Sequence, residues 1–166
     1  VEIPGMDKQS TPEEAEYDVK KVSGGLLLQD ADSKILVESD LKMVTKKKPS
    51  DNEINDMLFG WKIVKHVKSN AIVLVKDGQL IGVGAGQMNR VGSVKIAAAH
   101  AGENAKGSVL CSDAFFPMPD NVQEAAKAGV SAIIETGGSI KDDAVIAAAD
   151  QLGLAMAFTG VRHFKH

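Results

Sequence analysis

The last third of the chain alternates between short apolar runs and segments whose apolar residues recur at helical spacing. The runs predict buried strands, and the segments between them predict helices that each end at a glycine. The predicted elements are strands at 108–111, 130–135 and 154–158 and helices at 122–128 and 142–152. This alternation is typical of an α/β fold with a largely parallel layer.

Right-handed connections between parallel strands bring the loops after them to one edge of the sheet, where such folds bind ligands. The three loops are 113–120, 136–140 and 159–166. In the first, two prolines stiffen a segment that carries Phe115 and Phe116 and leads to Asp120 or Asn121 as a helix cap. The two rings either fill the core or face a ligand. The Gly-Gly-Ser sequence at 137–139 offers amides and a hydroxyl at a helix start, as a site for an anion or a polar ring would.

The middle of the chain carries the clearest helix and hairpin signals. Ser50 and Glu53 form a capping box, which predicts a helix that begins there. The apolar face of this helix comprises Ile54, Met57, Leu58, Trp61, Val64 and Val67. An Asp-Gly pair at 77–78 between two apolar runs predicts a β-hairpin with strands at 71–75 and 80–83.

A glycine-rich stretch at 82–86 precedes a predicted helix over 89–105 that carries Arg90 near its start. The stretch differs from a dinucleotide fingerprint, because glutamine occupies the third glycine position and a hairpin strand precedes it. Glycines here are better suited to a close approach of backbone or ligand. Arg90 is either a surface residue or the partner of a phosphate or carboxylate.

The first 48 residues have weaker patterns. Residues 1–21 are interpreted as a polar lead-in. Apolar runs at 24–30 and 35–38 predict two strands, split by a turn at 30–32. The basic stretch 42–48 is interpreted as a solvated surface.

Composition excludes several classes of function. The 166 residues suffice for one domain with a sizeable core, and a net charge of −3 gives no field that would attract nucleic acid or an anionic membrane. A single cysteine, Cys111, leaves no internal disulfide and no multi-cysteine zinc site. Without a long apolar run or a signal peptide in the sequence, we expect a soluble, cytoplasmic protein. Because the first residue is valine, we expect a piece of a longer chain or a processed one.

Few side chains are available for ligand chemistry. Arg90 and Arg162 can hold an anion, Asn70 can form two hydrogen bonds, and the aromatic pair at 115–116 can stack, with Asp120 as an acceptor. This set suits a nucleotide monophosphate beside a second aromatic ring. The four histidines lack the spacing of a zinc site, and no nucleophile elbow or phosphate-binding loop motif occurs.

From Tyr17 onward the sequence carries a specific resemblance that covers nearly the whole chain, and five segments show it best. They are 16–27, 64–70, Gly82–Gln87, Ser112–Pro117 (Ser-Asp-Ala-Phe-Phe-Pro) and Gly160–His166, which ends in an R-x-F-x-H pattern. They resemble the family of bifunctional purine biosynthesis enzymes that combine AICAR transformylase with IMP cyclohydrolase. The resemblance implies a cytidine-deaminase-like three-layer α/β/α fold with a mixed sheet. It implies that residues 1–166 are the second, C-terminal half of the transformylase domain, with the cyclohydrolase domain and the first transformylase half absent.

The activity implied by the resemblance is formyl transfer from the cosubstrate 10-formyltetrahydrofolate to AICAR, giving FAICAR. The residues that match AICAR contacts are Asn70, Arg90, Phe115 and Arg162, the last on the phosphate. The residues that match the folate pocket are Val91, Asp120, Ser139 and Ile140. His166 matches a terminal histidine that packs near the site.

No catalytic residue follows from the resemblance, because the family's Lys-His pair belongs to the absent first half. Lys65 and His66 lie in the duplicated counterpart of that pair, and their simpler interpretation is a surface lysine beside a partly packed histidine. The resemblance implies a homodimer and allows a monovalent cation near Val67 and Asp113. Two rival functions stay open: a non-catalytic nucleotide-binding module, which would ignore folate, and a zinc deaminase, which would contain stoichiometric zinc.

Overall fold

A computed structural model describes residues 17–165 of the chain, in two compact units that divide after Lys34. The first unit contains an antiparallel hairpin of β1 (Tyr17–Val22) and β2 (Gly25–Asp30). The predicted strand at 24–30 is therefore confirmed. The polar lead-in is wrong for residues 17–21, which pair with β2 because Tyr17 and Val19 alternate with polar residues, as a strand requires.

The second unit is built on a six-stranded sheet with the order β3-β8-β7-β6-β4-β5. Its strands are β3 (Lys42–Met43), β4 (Ile72–Lys76), β5 (Gln79–Gly84), β6 (Val109–Ser112), β7 (Ala132–Glu135) and β8 (Ala155–Phe158). The three strands β6, β7 and β8 are parallel, whereas β3, β4 and β5 pair antiparallel to their neighbours. The predicted strand at 35–38 is wrong, since this run buries only Leu36 and continues into a 3-10 helix at Glu38–Asp40.

Four α-helices cover the two faces of the sheet. They are α1 (Asp51–Val64), α2 (Arg90–Ala101), α3 (Asp120–Lys127) and α4 (Asp142–Gln151), and a 3-10 helix at Gly102–Ala105 follows α2. The apolar side of α1 packs on one face of the sheet, and the other three helices enclose a second core on the opposite face. The predicted three-layer α/β/α arrangement with a mixed sheet is confirmed. No helix in the described part of the chain is long and apolar enough to cross a membrane.

Local sequence signals account for most element boundaries. The Ser50 hydroxyl accepts from the Glu53 amide, and the Glu53 carboxylate accepts from the Ser50 amide at 2.8 Å, as the capping box predicts. Asp77 and Gly78 both have positive φ, which gives the tight two-residue turn between β4 and β5. The predicted cap of α3 at Asp120 or Asn121 is wrong: the helix begins at Asp120 with Pro119 at the cap position, because the φ of −63° that the proline ring imposes already suits a helix start.

Two glycines of the 82–86 stretch act in helix packing. A Cβ on Gly82 would lie 2.2 Å from the Ala97 carbonyl oxygen, and one on Gly84 would lie 2.0 Å from that of Ser93. Both glycines therefore let the backbone of α2 approach β5 closely. This close packing sets the position of the N-terminus of α2, where Arg90 lies.

Candidate functional site

Five segments converge at one edge of the main sheet. The parallel strands β6, β7 and β8 all end there. Because β4 runs antiparallel to β6, with Ile72 opposite Ser112, the start of β4 lies at the same edge. The end of β5, at Gly84, is also opposite Ile72 and leads directly to α2. The topology alone thus brings the residues around 70, 90, 113, 136 and 160 to one rim.

A buried polar cluster lies at this rim, formed by Ser69, Asn70, Arg90, Ser112 and Asp113. The Arg90 guanidinium pairs with the Asp113 carboxylate and donates to the Ser112 hydroxyl at 3.1 Å and to the Asn70 amide oxygen at 2.9 Å. The Ser69 hydroxyl donates to the second oxygen of Asp113. Arg90 is only 7% exposed. The interpretation of Arg90 as a surface residue is therefore wrong, and the carboxylate that it pairs with is internal.

The C-terminal tail is attached to this polar cluster. The His163 amide donates to the Asp113 carbonyl oxygen at 2.9 Å, and the Ser69 amide donates to the Lys165 carbonyl oxygen at 2.8 Å. The His163 ring is buried and lies 4.4 Å from the Trp61 ring, centroid to centroid. Residues 159–165 are thus an integral part of the rim, and the first loop and the tail meet as predicted.

Glu135 connects the remaining rim loops. Its Oε2 atom accepts from the Phe116 amide at 3.0 Å and from the Gly137 amide at 3.3 Å. The pKa of the Glu135 carboxyl is raised to about 7, mainly by burial and also by the nearby Asp142 carboxylate, against the opposing effect of the two amides and Arg90. The side chain is fully buried.

The Gly-Gly-Ser loop is not the anion site that its sequence predicts. The Gly138 and Ser139 amides donate to the Asp142 carboxylate at 2.7 and 3.0 Å, and the Gly137 amide donates to Glu135. Two acidic side chains thus occupy the donors that an anion would need, and their negative charge would repel it. The Ser139 hydroxyl accepts from the Lys141 amide and keeps its own proton for another acceptor.

The two adjacent phenylalanines have different environments. Phe116 is completely buried in the core beneath α2, α3 and α4, as the first of the two interpretations predicts. Phe115 is only partly buried and stays near the surface at the rim. Only one ring of the pair is therefore available to a ligand.

The other predicted site residues vary in exposure. The Arg162 guanidinium is exposed and lies 4.0 Å above the Phe164 ring. Val91 is partly buried, the Asp120 carboxylate accepts from Asn121, and the Ile140 side chain is fully exposed. No hydrogen bond among residues 17–165 joins the side chains of these four residues to the polar cluster. His166 lies outside the described residues.

Side chains for nucleophilic or metal chemistry are scarce in the described part of the chain. Lys65 and His66 follow the end of α1 in a turn, rather than lying on the helix as expected. Burial raises the pKa of the Cys111 thiol far above neutrality, so it is no thiolate nucleophile. No group of three or more histidine, cysteine, aspartate or glutamate side chains within 17–165 could hold a metal ion.

Sequence reasoning missed three rim residues, Ser69, Ser112 and Glu135. Ser69 lies two residues before the buried run that begins at Ala71, whereas Ser112 and Glu135 are the last residues of the buried strands β6 and β7. A carboxylate in that position is rare unless its hydrogen bonds are satisfied. That signal could have identified Glu135, whereas the partners of the two serines come from distant parts of the chain.

Comparisons with known proteins give consistent matches. A family model described as AICARFT/IMPCHase bienzyme matches residues 3–100. The bifunctional purine biosynthesis protein PurH of Bacillus thuringiensis (strain Al Hakam) and that of Bacillus cereus (strain AH820) are each 64% identical over 145 residues, or 87% of this chain. The chain spans 28% of the length of these relatives.

Two solved structures of Acinetobacter baumannii RibD also align with the chain. Form 2 has a TM-score of 0.42 with 21% identity, and it covers 59% of this chain and 32% of RibD. Form 1 has a TM-score of 0.45 with 20% identity, and it covers 61% of this chain and 32% of RibD.

Proposed function

Because this chain belongs to the AICARFT/IMPCHase bienzyme family, we propose that it forms part of the site where a formyl group passes from 10-formyltetrahydrofolate to the amino group of AICAR, giving FAICAR in purine biosynthesis. In this proposal, residues 1–166 are the second half of the transformylase domain. The observation that carries it is the set of hydrogen bonds that joins the three loops and the polar cluster at one rim.

The polar cluster supports a role in holding the AICAR ring and its carboxamide. Arg90 fixes the Asn70 amide through its oxygen, and the Asn70 nitrogen donates to the Gln87 carbonyl oxygen at 2.9 Å. The orientation of this amide is therefore set before a ligand arrives, which reduces the entropy lost on binding. Arg90 Nε and one hydrogen on Nη2 have no acceptor among residues 17–165, so the guanidinium keeps donors for a ligand. The partly buried Phe115 offers a ring face for stacking.

Arg162 is the residue we propose for the phosphate of AICAR. Its guanidinium is exposed and makes no hydrogen bond to residues 17–165, so its fork of donors is available for two phosphate oxygens. The tail hydrogen bonds to Asp113 and Ser69 hold the Arg162 backbone beside the polar cluster. The Gly-Gly-Ser loop, whose amides are occupied by carboxylates, leaves Arg162 as the better phosphate site.

The proposed folate contacts are Val91, Asp120, Ser139 and Ile140. The exposed Ile140 and the partly buried Val91 present apolar surface that a pterin ring would cover. The Asp120 carboxylate is exposed and can accept from ring N–H groups, and the Ser139 hydroxyl retains a proton to donate.

In this proposal the chain binds and orients the substrates, while the acid–base groups come from another part of the longer family protein. Lys65 and His66 lie in the turn after α1 and are not proposed as catalytic residues. The monovalent cation allowed near Val67 and Asp113 is not favoured, because Arg90 and Ser69 already occupy both Asp113 carboxylate oxygens. No step proposed here depends on a cation. The homodimer and the cytoplasmic location stay predictions.

Calorimetry with AICAR, its nucleoside and a folate analogue tests the proposal. We expect Arg162→Ala to weaken AICAR binding roughly 10- to 100-fold, as for loss of hydrogen bonds to a charged group, and to change nucleoside binding less than about twofold. Lys165→Ala removes the same charge from the same tail and serves as the matched control, with affinities near those of the unmodified chain. The same samples should show no formyl transfer.

Three results would contradict parts of this proposal. Equal losses of affinity for AICAR and its nucleoside would show that Arg162 does not bind the phosphate. Binding of AICAR without any binding of the folate analogue would favour the rival function, a nucleotide-binding module. Formyl transfer as fast as that of an intact relative would show that the acid–base groups lie in this chain.

A further inference from the structure

The Glu135 side chain contacts both loops that lie beside the end of β7. Side chains alternate along a strand, so Glu135 points to the same face as Ile133, into the core beneath α2, α3 and α4. Its Oε2 atom accepts from Phe116 in one loop and from Gly137 in the other. Its Oε1 atom is buried and has no hydrogen-bond partner among residues 17–165.

The backbone at Glu135 also holds the third segment of the rim. The Thr159 amide donates to the Glu135 carbonyl oxygen and the Gly160 amide to the Thr136 carbonyl oxygen, each at 2.9 Å. Glu135 is therefore hydrogen-bonded to the loop that carries Phe115 and Phe116, to the Gly-Gly-Ser loop and to the start of the tail. These segments carry Phe115, Ser139 and Arg162.

Resting on the function proposed above, we propose that Glu135 is a positioning residue that couples the Phe115–Pro117 loop to the Gly137–Ser139 loop, so that the AICAR side and the folate side of the site close together. A single acceptor atom serves both amides. If one loop moves away, the geometry of the other hydrogen bond changes as well. Glu135 touches no substrate in this role and acts through the two loops.

Closure of the two loops then depends on the proton of Glu135. The charged groups whose fields reach its carboxyl, among the described residues, are Asp142 at the start of α4 and Arg90 at the start of α2. Burial raises the pKa of this carboxyl to about 7, so the closed loops favour the neutral acid. A carboxylate gains hydration if the loops open. Closure should therefore weaken as the pH rises from 4.5, the ordinary pKa of the group, to about 7, and should change little above that.

Amide hydrogen exchange, followed by NMR between pH 5 and 8, tests the coupling in the ligand-free chain. After correction for intrinsic exchange, we expect protection of the Phe116 and Gly137 amides to fall in parallel, by up to about tenfold per pH unit until the pH reaches about 7, and to level off above it. Glu135→Gln keeps an acceptor oxygen and cannot ionise, so both amides should stay protected without this slope. Glu103→Gln, which changes an exposed carboxylate on the 3-10 helix after α2, should keep the original slope.

Two results with these variants would contradict the coupling. A Glu135→Gln chain with the original slope, or two amides whose protection changes independently, would overturn the coupling. Glu135→Ala removes the acceptor, and both amides should lose at least about tenfold in protection at every pH, as expected when a hydrogen bond to a charged or acidic group is lost. If Glu135→Ala does not fold, the comparison of Glu135→Gln with Glu103→Gln decides the question by itself.

Calorimetry at pH 6 and pH 8 separates this inference from the proposed function. Parallel amide slopes without binding of AICAR or the folate analogue would support the coupling and contradict the proposed function. Binding of both ligands, with amide protection that does not change with pH, would support the proposed function and contradict the coupling. If both hold, the affinity of the unmodified chain should fall between pH 6 and pH 8, and that of Glu135→Gln should stay constant.

Discussion

Two buried carboxylates at the ends of neighbouring parallel strands are stabilised in different ways. Asp113 follows β6 and is 1% exposed; Glu135 ends β7 and is fully buried. Asp113 pairs with the Arg90 guanidinium and accepts from the Ser69 hydroxyl. Glu135 accepts two backbone N–H groups and has no cationic partner in hydrogen-bond contact among the described residues. The buried negative charge of Asp113 is thus compensated by a cation, whereas that of Glu135 can be neutralised by a proton.

The comparison teaches which part of the rim responds to its surroundings. The Asp113 side joins segments 69–71, 90 and 163–165 through a fixed ion pair. The Glu135 side joins two loops through a group that can change charge near neutral pH. We therefore expect the first side to be a stable frame and the second side to be the adjustable part of the site.

Arg90→Met is the strongest test of the frame. It leaves the Asp113 charge buried without its partner, which should lower the free energy of unfolding by about 3–5 kcal/mol. Urea denaturation of the chain measures this loss. Lys127→Met breaks the exposed pair of Lys127 with Glu124 and serves as the control, with a much smaller change. Similar losses in the two variants would show that the buried pair does not stabilise the rim.

Glu135→Gln tests the proton dependence of the other side. The folded-state pKa is raised from 4.5 to about 7, so the folded chain holds a proton that the unfolded chain has lost. Stability should therefore fall as the pH rises from 4.5 to about 7, by about 3 kcal/mol relative to Glu135→Gln. Urea denaturation of both proteins across this range gives the difference. Parallel stability curves for the two proteins would exclude a raised pKa at Glu135.

Two serine variants give the smallest expected contrast. Ser69→Ala removes a hydrogen bond to the buried Asp113 carboxylate and should lower the free energy of unfolding by about 1.5–3 kcal/mol. Ser139→Ala removes an acceptor for the Lys141 amide at the more exposed loop and should lower it by less than about 1 kcal/mol. Thermal or urea unfolding measures both variants. The reverse order would place the more rigid part of the rim at the Gly-Gly-Ser loop.

Much of the second unit could be predicted from the sequence. The capping box at Ser50 and the Asp-Gly turn act through neighbours within four residues, so the sequence contains the whole interaction. The prediction of a strand at 35–38 was wrong because it depends on a distant partner: an apolar run becomes a strand only if another strand pairs with it. The same dependence on a partner explains why β1 was missed: its sequence is mostly polar, and its pairing with β2 is what makes it a strand.

The candidate site was predictable in location and not in detail. The alternation of strands and helices was enough to place the loops around 115, 139 and 162 at one edge. The internal pairing of Arg90 with Asp113 spans 23 positions, and the amides of 137–139 are occupied by carboxylates that the pattern did not single out. Which of the two adjacent phenylalanines is buried was also open until the core was seen.

By itself, the sequence determined the order of the elements, the edge of the sheet at which the loops emerge and the family resemblance. These follow from local periodicity, short-range capping and chain connectivity, which act between residues close in sequence. Only the tertiary structure decided which polar groups at the rim are satisfied internally and which keep donors for a ligand. Burial and hydrogen bonding depend on segments far apart in the chain, and these meet only when the sheet is formed.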